Sequence, residues 1–154
     1  LPGCGRVRSS TMATALDVAK YILAKAGPMT AMKLQKLVYY SQAWSLVWDE
    51  RPLFDDRIEA WANGPVTPRL YFEHRGRFEV GAGDIQGDSD QLDDVARETV
   101  DAVLEFYGDK SAQWLSDLTH MERPWVDARD GLAPGERGCQ EITPEAMAEY
   151  YASL

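Results

Sequence analysis

The stretch TAMKLQKLVYYSQAWSLVW, Thr30 to Trp48, decides the fold. Leu34, Leu37, Val38, Tyr40, Ala43, Trp44, Val47 and Trp48 recur in it at three- and four-residue spacings, and Tyr39 and Leu46 add apolar groups on the remaining face. That pattern belongs to a helix buried on all sides. Gly27-Pro28 breaks the segment before it, the Thr30 hydroxyl can cap its first turn, and no Gly or Pro follows until Pro52. The reading is a long central helix from Ala31 to about Trp48, with the rest of the chain packed around it.

Polar residues interrupt this helix at Lys33, Gln35, Lys36 and Gln42. Lys36 shares a face with Tyr40, and Gln35 with Tyr39, by i,i+4 spacing. Amides and phenols among large apolar side chains must find hydrogen-bond partners. These residues are therefore expected to tie the helix to its neighbours, with partner binding as the second reading.

Moving outward, Thr14 to Asp17 forms a capping box, and Val18, Ala19, Ile22, Leu23 and Ala26 make a helical stripe that Gly27 ends. After Trp48, Leu53-Phe54 and Ile58 to Trp61 are expected to be two short extended pieces of a ribbon around Asp55-Asp56. Asn63 to Pro68 reads as turn punctuation, with Thr67 capping a helix that starts at Pro68 and runs to about His74. Gly76 to Ser89 carries no period and reads as an exposed loop. Leu92, Val95, Ala96, Thr99, Val100, Val103, Leu104 and Tyr107 mark an amphipathic helix stopped by Gly108. Ser111 caps a shorter helix, Pro124 permits a fresh start, Asp130 to Gly138 is loop, and Thr143-Pro144 opens a terminal helix. The expected class is mainly α, α+β at most: one compact domain of about six to seven helices around a buried central helix, with a short β-ribbon.

A chain of 154 residues with 45% hydrophobic content can bury a core as one domain without covalent staples. Residues 1–11, LPGCGRVRSST, have no apolar run and are expected to be a disordered upstream or cloning remnant, with Met12 as the native start and the domain spanning 12–154. Setting Cys4 aside leaves Cys139, which argues against disulfides and cysteine metal sites and for a cytoplasmic location. No apolar run approaches a membrane span. A net charge of −9 repels phosphate backbones and attracts basic partners, so direct nucleic-acid binding is not expected.

The search for chemistry is mostly negative. There is no P-loop, dinucleotide glycine pattern, nucleophile elbow or paired-histidine zinc spacing. His74 and His120 are the only histidines. A metal site of His120 with Glu122 and a distant Asp suffers because residues two apart on a helix do not share a face, and a hydrolase using His120 with Glu122, the enzyme reading, has no reactive Ser or Cys placed next to it by the sequence. Thr119 and His120 are expected instead to bond backbone at a helix end, with Trp125 packed beneath. No catalytic residue, cofactor or metal is assigned.

Five blocks occur together: KLQKLVYYSQAW (Lys33 to Trp44), PLF (Pro52 to Phe54), EAW (Glu59 to Trp61), NGPV (Asn63 to Val66) and LTHMERPW (Leu118 to Trp125). In order and spacing the chain resembles the Panacea domain family of SocA-like antitoxins and phage-associated GepA-like proteins, from about Leu16 to Tyr151. The resemblance implies binding rather than catalysis: an antitoxin that neutralises a cognate protein toxin by direct contact, with delivery of the toxin to the ClpXP protease as a further mode. A stand-alone phage or prophage accessory protein is the alternative. It also implies that Lys33, Gln35, Lys36, Tyr39, Tyr40, Gln42, Trp44, Trp61, Gly64, Pro65, Val66, Thr119, His120, Pro124 and Trp125 mark the fold or partner binding. Toxin choice is expected on surfaces such as Gly76 to Ser89 and the loop before Cys139. A basic toxin suits the acidic surface, and Glu73, Asp93, Asp94 and Asp101 are the candidate residues facing it.

Overall fold

Thr14 opens the first helix of the computed structural model, which describes residues 12–154. The expected remnant at 1–11, with Cys4, lies outside the described residues. Helix α1 (Ala15–Ala26) begins with the capping box: the Thr14 hydroxyl accepts from Asp17 N at 3.3 Å and the Asp17 carboxylate accepts from Thr14 N at 2.8 Å. It stops at Gly27, whose φ of 85° lies where side-chain-bearing residues are strained. Strand β1 (Met29–Thr30) leads directly into α2 (Ala31–Trp48), whose first turn is capped by the Thr30 hydroxyl accepting from Lys33 N at 3.2 Å.

Helix α2 is the hub. Helices α1, α4 (Asp94–Tyr107), α5 (Ala112–Thr119) and α7 (Pro144–Ala152) all pack against it, which is why it needs no polar face. Leu34, Leu37, Val38, Tyr39, Tyr40 and Ala43 are fully inside. Burial lasts through Ser45, but the last turn emerges, and Trp48 is 51% exposed. Asp93, Ser111 and Thr143 cap α4, α5 and α7 through their side chains. Helix α6 (Arg123–Ala128) starts with Pro124 in its first turn.

The ribbon differs from the expected one. Strand β2 (Glu59–Trp61) pairs antiparallel with β3 (Gly64–Val66), in register Glu59 to Val66, Ala60 to Pro65 and Trp61 to Gly64. Gly64 to Val66 is therefore strand and not only turn. Leu53-Phe54 stays outside both sheets, because the Gln42 side chain takes the place of a strand partner: its Oε1 accepts from Leu53 N at 2.7 Å and its Nε2 donates to Phe54 O at 2.8 Å. The outer edge of β2 is covered by residues 140–142, with Ala60 N donating to Gln140 O and Ile142 N to Ile58 O.

Two further expectations are corrected downstream. Helix α3 (Pro68–His74) has Pro68 at its start, yet the Thr67 side chain makes no cap. The segment Gly76 to Ser89 is not merely an exposed loop. It contains β4 (Glu79–Val80), which pairs with β1, and it buries Val80 and Ile85 in the core. Isolated apolar residues between glycines carry no period, so tertiary burial here had no local signature. Among the described residues, no helix is long and apolar enough to cross a membrane.

Candidate functional site

Lys33, Gln35 and Gln42 of α2 each reach a different neighbouring segment. Gln35 Oε1 accepts from Thr67 N at 2.8 Å, and its Nε2 donates to Thr67 O at 3.2 Å. The same Nε2 lies 3.0 Å from His74 Nε2. Because Thr67 N fixes which end of the amide is oxygen, Gln35 must donate to His74, whose Nε2 then carries no proton. Burial also pushes the His74 pKa down, so this ring is neutral. Lys33 Nζ donates to Gly108 O at 2.6 Å, joining the start of α2 to the end of α4.

Lys36 is different. Its side chain runs under Gly64, and a Cβ built on that glycine would fall 2.5 Å from Lys36 Cε. Only 1% of the residue is exposed. Burial alone lowers its pKa from 10.5 to about 8. Nζ has no hydrogen-bond or ion-pair partner among the described residues, yet no sealed side-chain nitrogen or oxygen is left unpartnered, so the ammonium is reached from the cavity that Lys36 lines.

A second polar centre sits one turn further along α2. Glu122 Oε1 accepts from Tyr40 OH and from Tyr151 OH, both at 2.7 Å. Tyr39 OH lies 3.0 Å from Tyr151 OH; since Tyr151 gives its proton to Glu122, Tyr39 is the donor. Burial raises the Glu122 pKa and the two phenol bonds oppose that rise. The phenols of Tyr39, Tyr40 and Tyr151 are all pushed up by burial. Glu122 and Tyr151 were not legible as a pair in the sequence, for 29 residues and a helix change separate them.

Trp125 Nε1 donates to Trp61 O at 2.8 Å, and Trp61 Nε1 donates to Glu59 Oε1 at 2.8 Å. The Thr119 hydroxyl donates to Ser116 O, and the His120 ring, 4.0 Å from the Trp125 ring, lies against two carbonyls: Ser116 O at 2.6 Å from Nδ1 and Ala62 O at 3.0 Å from Nε2. With both ring nitrogens so engaged and the Glu122 carboxylate turned to Tyr40 and Tyr151, His120 and Glu122 do not form a catalytic pair in this geometry. Among the described residues, no group of three or more His, Cys, Asp or Glu could hold a metal ion.

Between α2, the β2–β3 hairpin, α3 and the 137–139 loop lies a cavity of about 600 Å³. Met32, Gln35, Lys36, Trp61, Tyr71 and His74 line it, and exposed Cys139 stands at its edge. The motif thus brings together Gln35, Lys36, Trp61 and Val66 around one hollow, while Tyr39, Tyr40 and Trp44, one to two turns further along α2, pack on Tyr151. Tyr71, His74 and Cys139 are wall residues that sequence reasoning did not group.

The candidate toxin-facing carboxylates are scattered and partly engaged. Glu73 accepts from Gln86 N; Asp93 caps α4 and pairs with Arg51 at 2.6 Å; Asp101 accepts from Tyr21 OH at 2.9 Å. Asp94 is exposed and starts a stripe with Glu98, Asp101 and Glu105 along α4. Elsewhere, exposed Trp48 stacks on Trp44 at 5.0 Å between centroids, Trp44 Nε1 donates to Tyr107 OH, and exposed Phe106 lies edge-on to Tyr107.

The family described as Antitoxin SocA-like, Panacea domain, matches residues 34–126, which contain all but the first three residues of α2, the hairpin, α3, α4, α5 and the first turn of α6. The curated protein "Antitoxin SocA" of Caulobacter vibrioides (strain NA1000 / CB15N) is 31% identical over 145 residues, covering 81% of this chain and 77% of that protein. No solved structure matches. The match spans most of the hub helix and most of the cavity wall, and the chain belongs to the SocA-like antitoxin, Panacea domain family.

Proposed function

We propose that this protein is an antitoxin that neutralises a cognate protein toxin by direct binding. The observation that carries the reading is family membership, supported over most of the chain by similarity to a protein named Antitoxin SocA. The surface offers what such an interface uses: exposed aromatic anchors at Trp48 and Phe106, and carboxylates at Asp94 and along α4 that suit a basic partner. Asp93, Asp101 and Glu73 contribute charge at the rim while holding local structure.

The test is growth of cells expressing each adjacent reading frame from an inducible promoter, with and without this protein, followed by co-purification. Rescue with a stable complex is the expected result. Rescue that disappears in cells lacking ClpXP assigns delivery to the protease in place of simple occlusion. The absence of any toxic neighbour overturns the antitoxin reading and favours a stand-alone accessory protein.

A further inference from the structure

We propose that the cavity between α2, the β2–β3 hairpin and α3 is a binding site for a monocarboxylate with an apolar or aromatic body, its carboxylate paired with the Lys36 ammonium. Three observations lead there, and none depends on the protein being an antitoxin.

The first is size and lining. A cavity of about 600 Å³ lies within the roughly 300–1,000 Å³ of ligand sites. Its walls include Met32, Trp61, Val66 and Tyr71, with the Trp61 and Tyr71 rings edge to face at 5.0 Å. Such a surface receives hydrocarbon or a ring.

The second is the charge balance. Lys36 is cationic at neutral pH, almost wholly buried and without a counter-ion among the described residues. A buried cation left unpaired is costly, and an incoming anion would relieve that cost. The buried polar groups beside it in the wall are already committed. Gln35 is locked between Thr67 and His74, and His74 is neutral. The Glu59 carboxylate is held by Arg57 at 2.8 Å and by Trp61. Among the described residues Lys36 is the one buried cation in this wall, and it calls for one negative charge.

The third is shape at the charged end. Gly64, with φ of 123°, passes so close over Lys36 that no side chain fits between them. The backbone therefore roofs the amine on the Gly64 side, and the cavity that Lys36 lines is the approach left to a ligand there. A phosphate would need several convergent donors; a carboxylate matches a single ammonium. Arg137, exposed beside the 137–139 wall, adds positive charge at the mouth.

The same chemistry occurs in a free small acid and in the C-terminal residue of a polypeptide, so the probes are phenylacetate, decanoate, their amides, and a peptide ending in Phe with a free or an amidated terminus. Binding is followed by NMR on the protein with isotope-labelled lysine, the Lys36 resonance being assigned with Lys36→Met. The expected result is that acids bind at least about tenfold more tightly than amides and move the Lys36 midpoint up toward the ordinary lysine value. Lys36→Met should erase the acid-over-amide preference. Met32→Trp, which fills the mouth while leaving the Lys36 amine in place, should abolish binding, and it keeps the test valid should Lys36→Met fail to fold. A peptide acid binding more tightly than the free acids assigns the site to a partner's chain end; the reverse order assigns it to a small molecule. Equal binding of acids and amides, or an unmoved Lys36 resonance with every probe at its solubility limit, overturns the proposal.

Discussion

Gln35 holds both main-chain polar groups of Thr67, accepting from its N–H at 2.8 Å and donating to its carbonyl at 3.2 Å. Thr67 is the residue at which the hairpin hands over to α3, so one side chain of the hub helix fixes where α3 begins. Gln35→Ala would strand a buried N–H and a carbonyl and release His74. The expected loss is about 3 kcal/mol, measured as a lowered urea midpoint with an unchanged slope.

Gly64→Ala should be costly for two separable reasons. A φ of 123° is hostile to any side chain, and the new methyl would meet Lys36 Cε at 2.5 Å. A destabilisation of about 2 kcal/mol is expected. Thermal unfolding of Gly64→Ala in the wild-type and Lys36→Ala backgrounds checks it, since removing the arm that carries Cε should recover the steric part and leave the backbone part.

The buried lysine makes a pH signature. The native chain releases the Lys36 proton near pH 8, the unfolded chain near 10.5. Between those values the unfolded state binds more protons, so stability rises with pH. Below pH 8 the contribution is constant and unfavourable. The buried phenols of Tyr39, Tyr40 and Tyr151 are shifted the other way, so their ionisation lowers stability above the ordinary tyrosine range. A gain of about 2 kcal/mol from about pH 8 to 10 is expected in the wild type and absent in Lys36→Met, read from denaturation midpoints across that range.

Glu122 should tolerate loss of charge better than loss of its acceptor. Glu122→Gln keeps an oxygen for Tyr40 and Tyr151 and removes a desolvated carboxylate, so its stability should stay within about 1 kcal/mol of wild type. Glu122→Ala orphans both hydroxyls and opens a void, costing about 3 kcal/mol. Because the native carboxyl holds its proton above the ordinary range, its contribution favours folding in acid and is lost as pH rises through the native pKa. Acidification from neutral pH should therefore shift the balance toward wild type over Glu122→Gln in parallel melts.

Charge reversal on α4 tests the proposed toxin-facing surface without disturbing the fold. Asp94 and Glu98 are exposed, whereas Asp93 and Asp101 hold a cap and a phenol. Asp94→Lys with Glu98→Lys should slow association with a basic toxin about tenfold at low salt and flatten its salt dependence. Trp48→Ala should act mainly on dissociation. Stopped-flow association and surface-plasmon dissociation separate the two, and unchanged kinetics in both would remove this face from the interface.

The Thr30 to Trp48 stretch determined by itself that a buried helix would organise the chain, because a helix apolar on all sides has nowhere else to go. The caps at Thr14, Thr30, Ser111 and Thr143 were equally legible, since a cap acts within three residues of its own position. The ribbon was not. Its strands are three residues long, and which segments pair was decided by Gln42 occupying the backbone of Leu53-Phe54 and by residues 140–142 arriving from the far end of the chain. Membership of the motif blocks could be read from the sequence, but their division into a cavity wall around Lys36 and a phenol cluster around Glu122 could not. That division depends on which distant segments meet each successive turn of α2, and long-range packing leaves no local period to read.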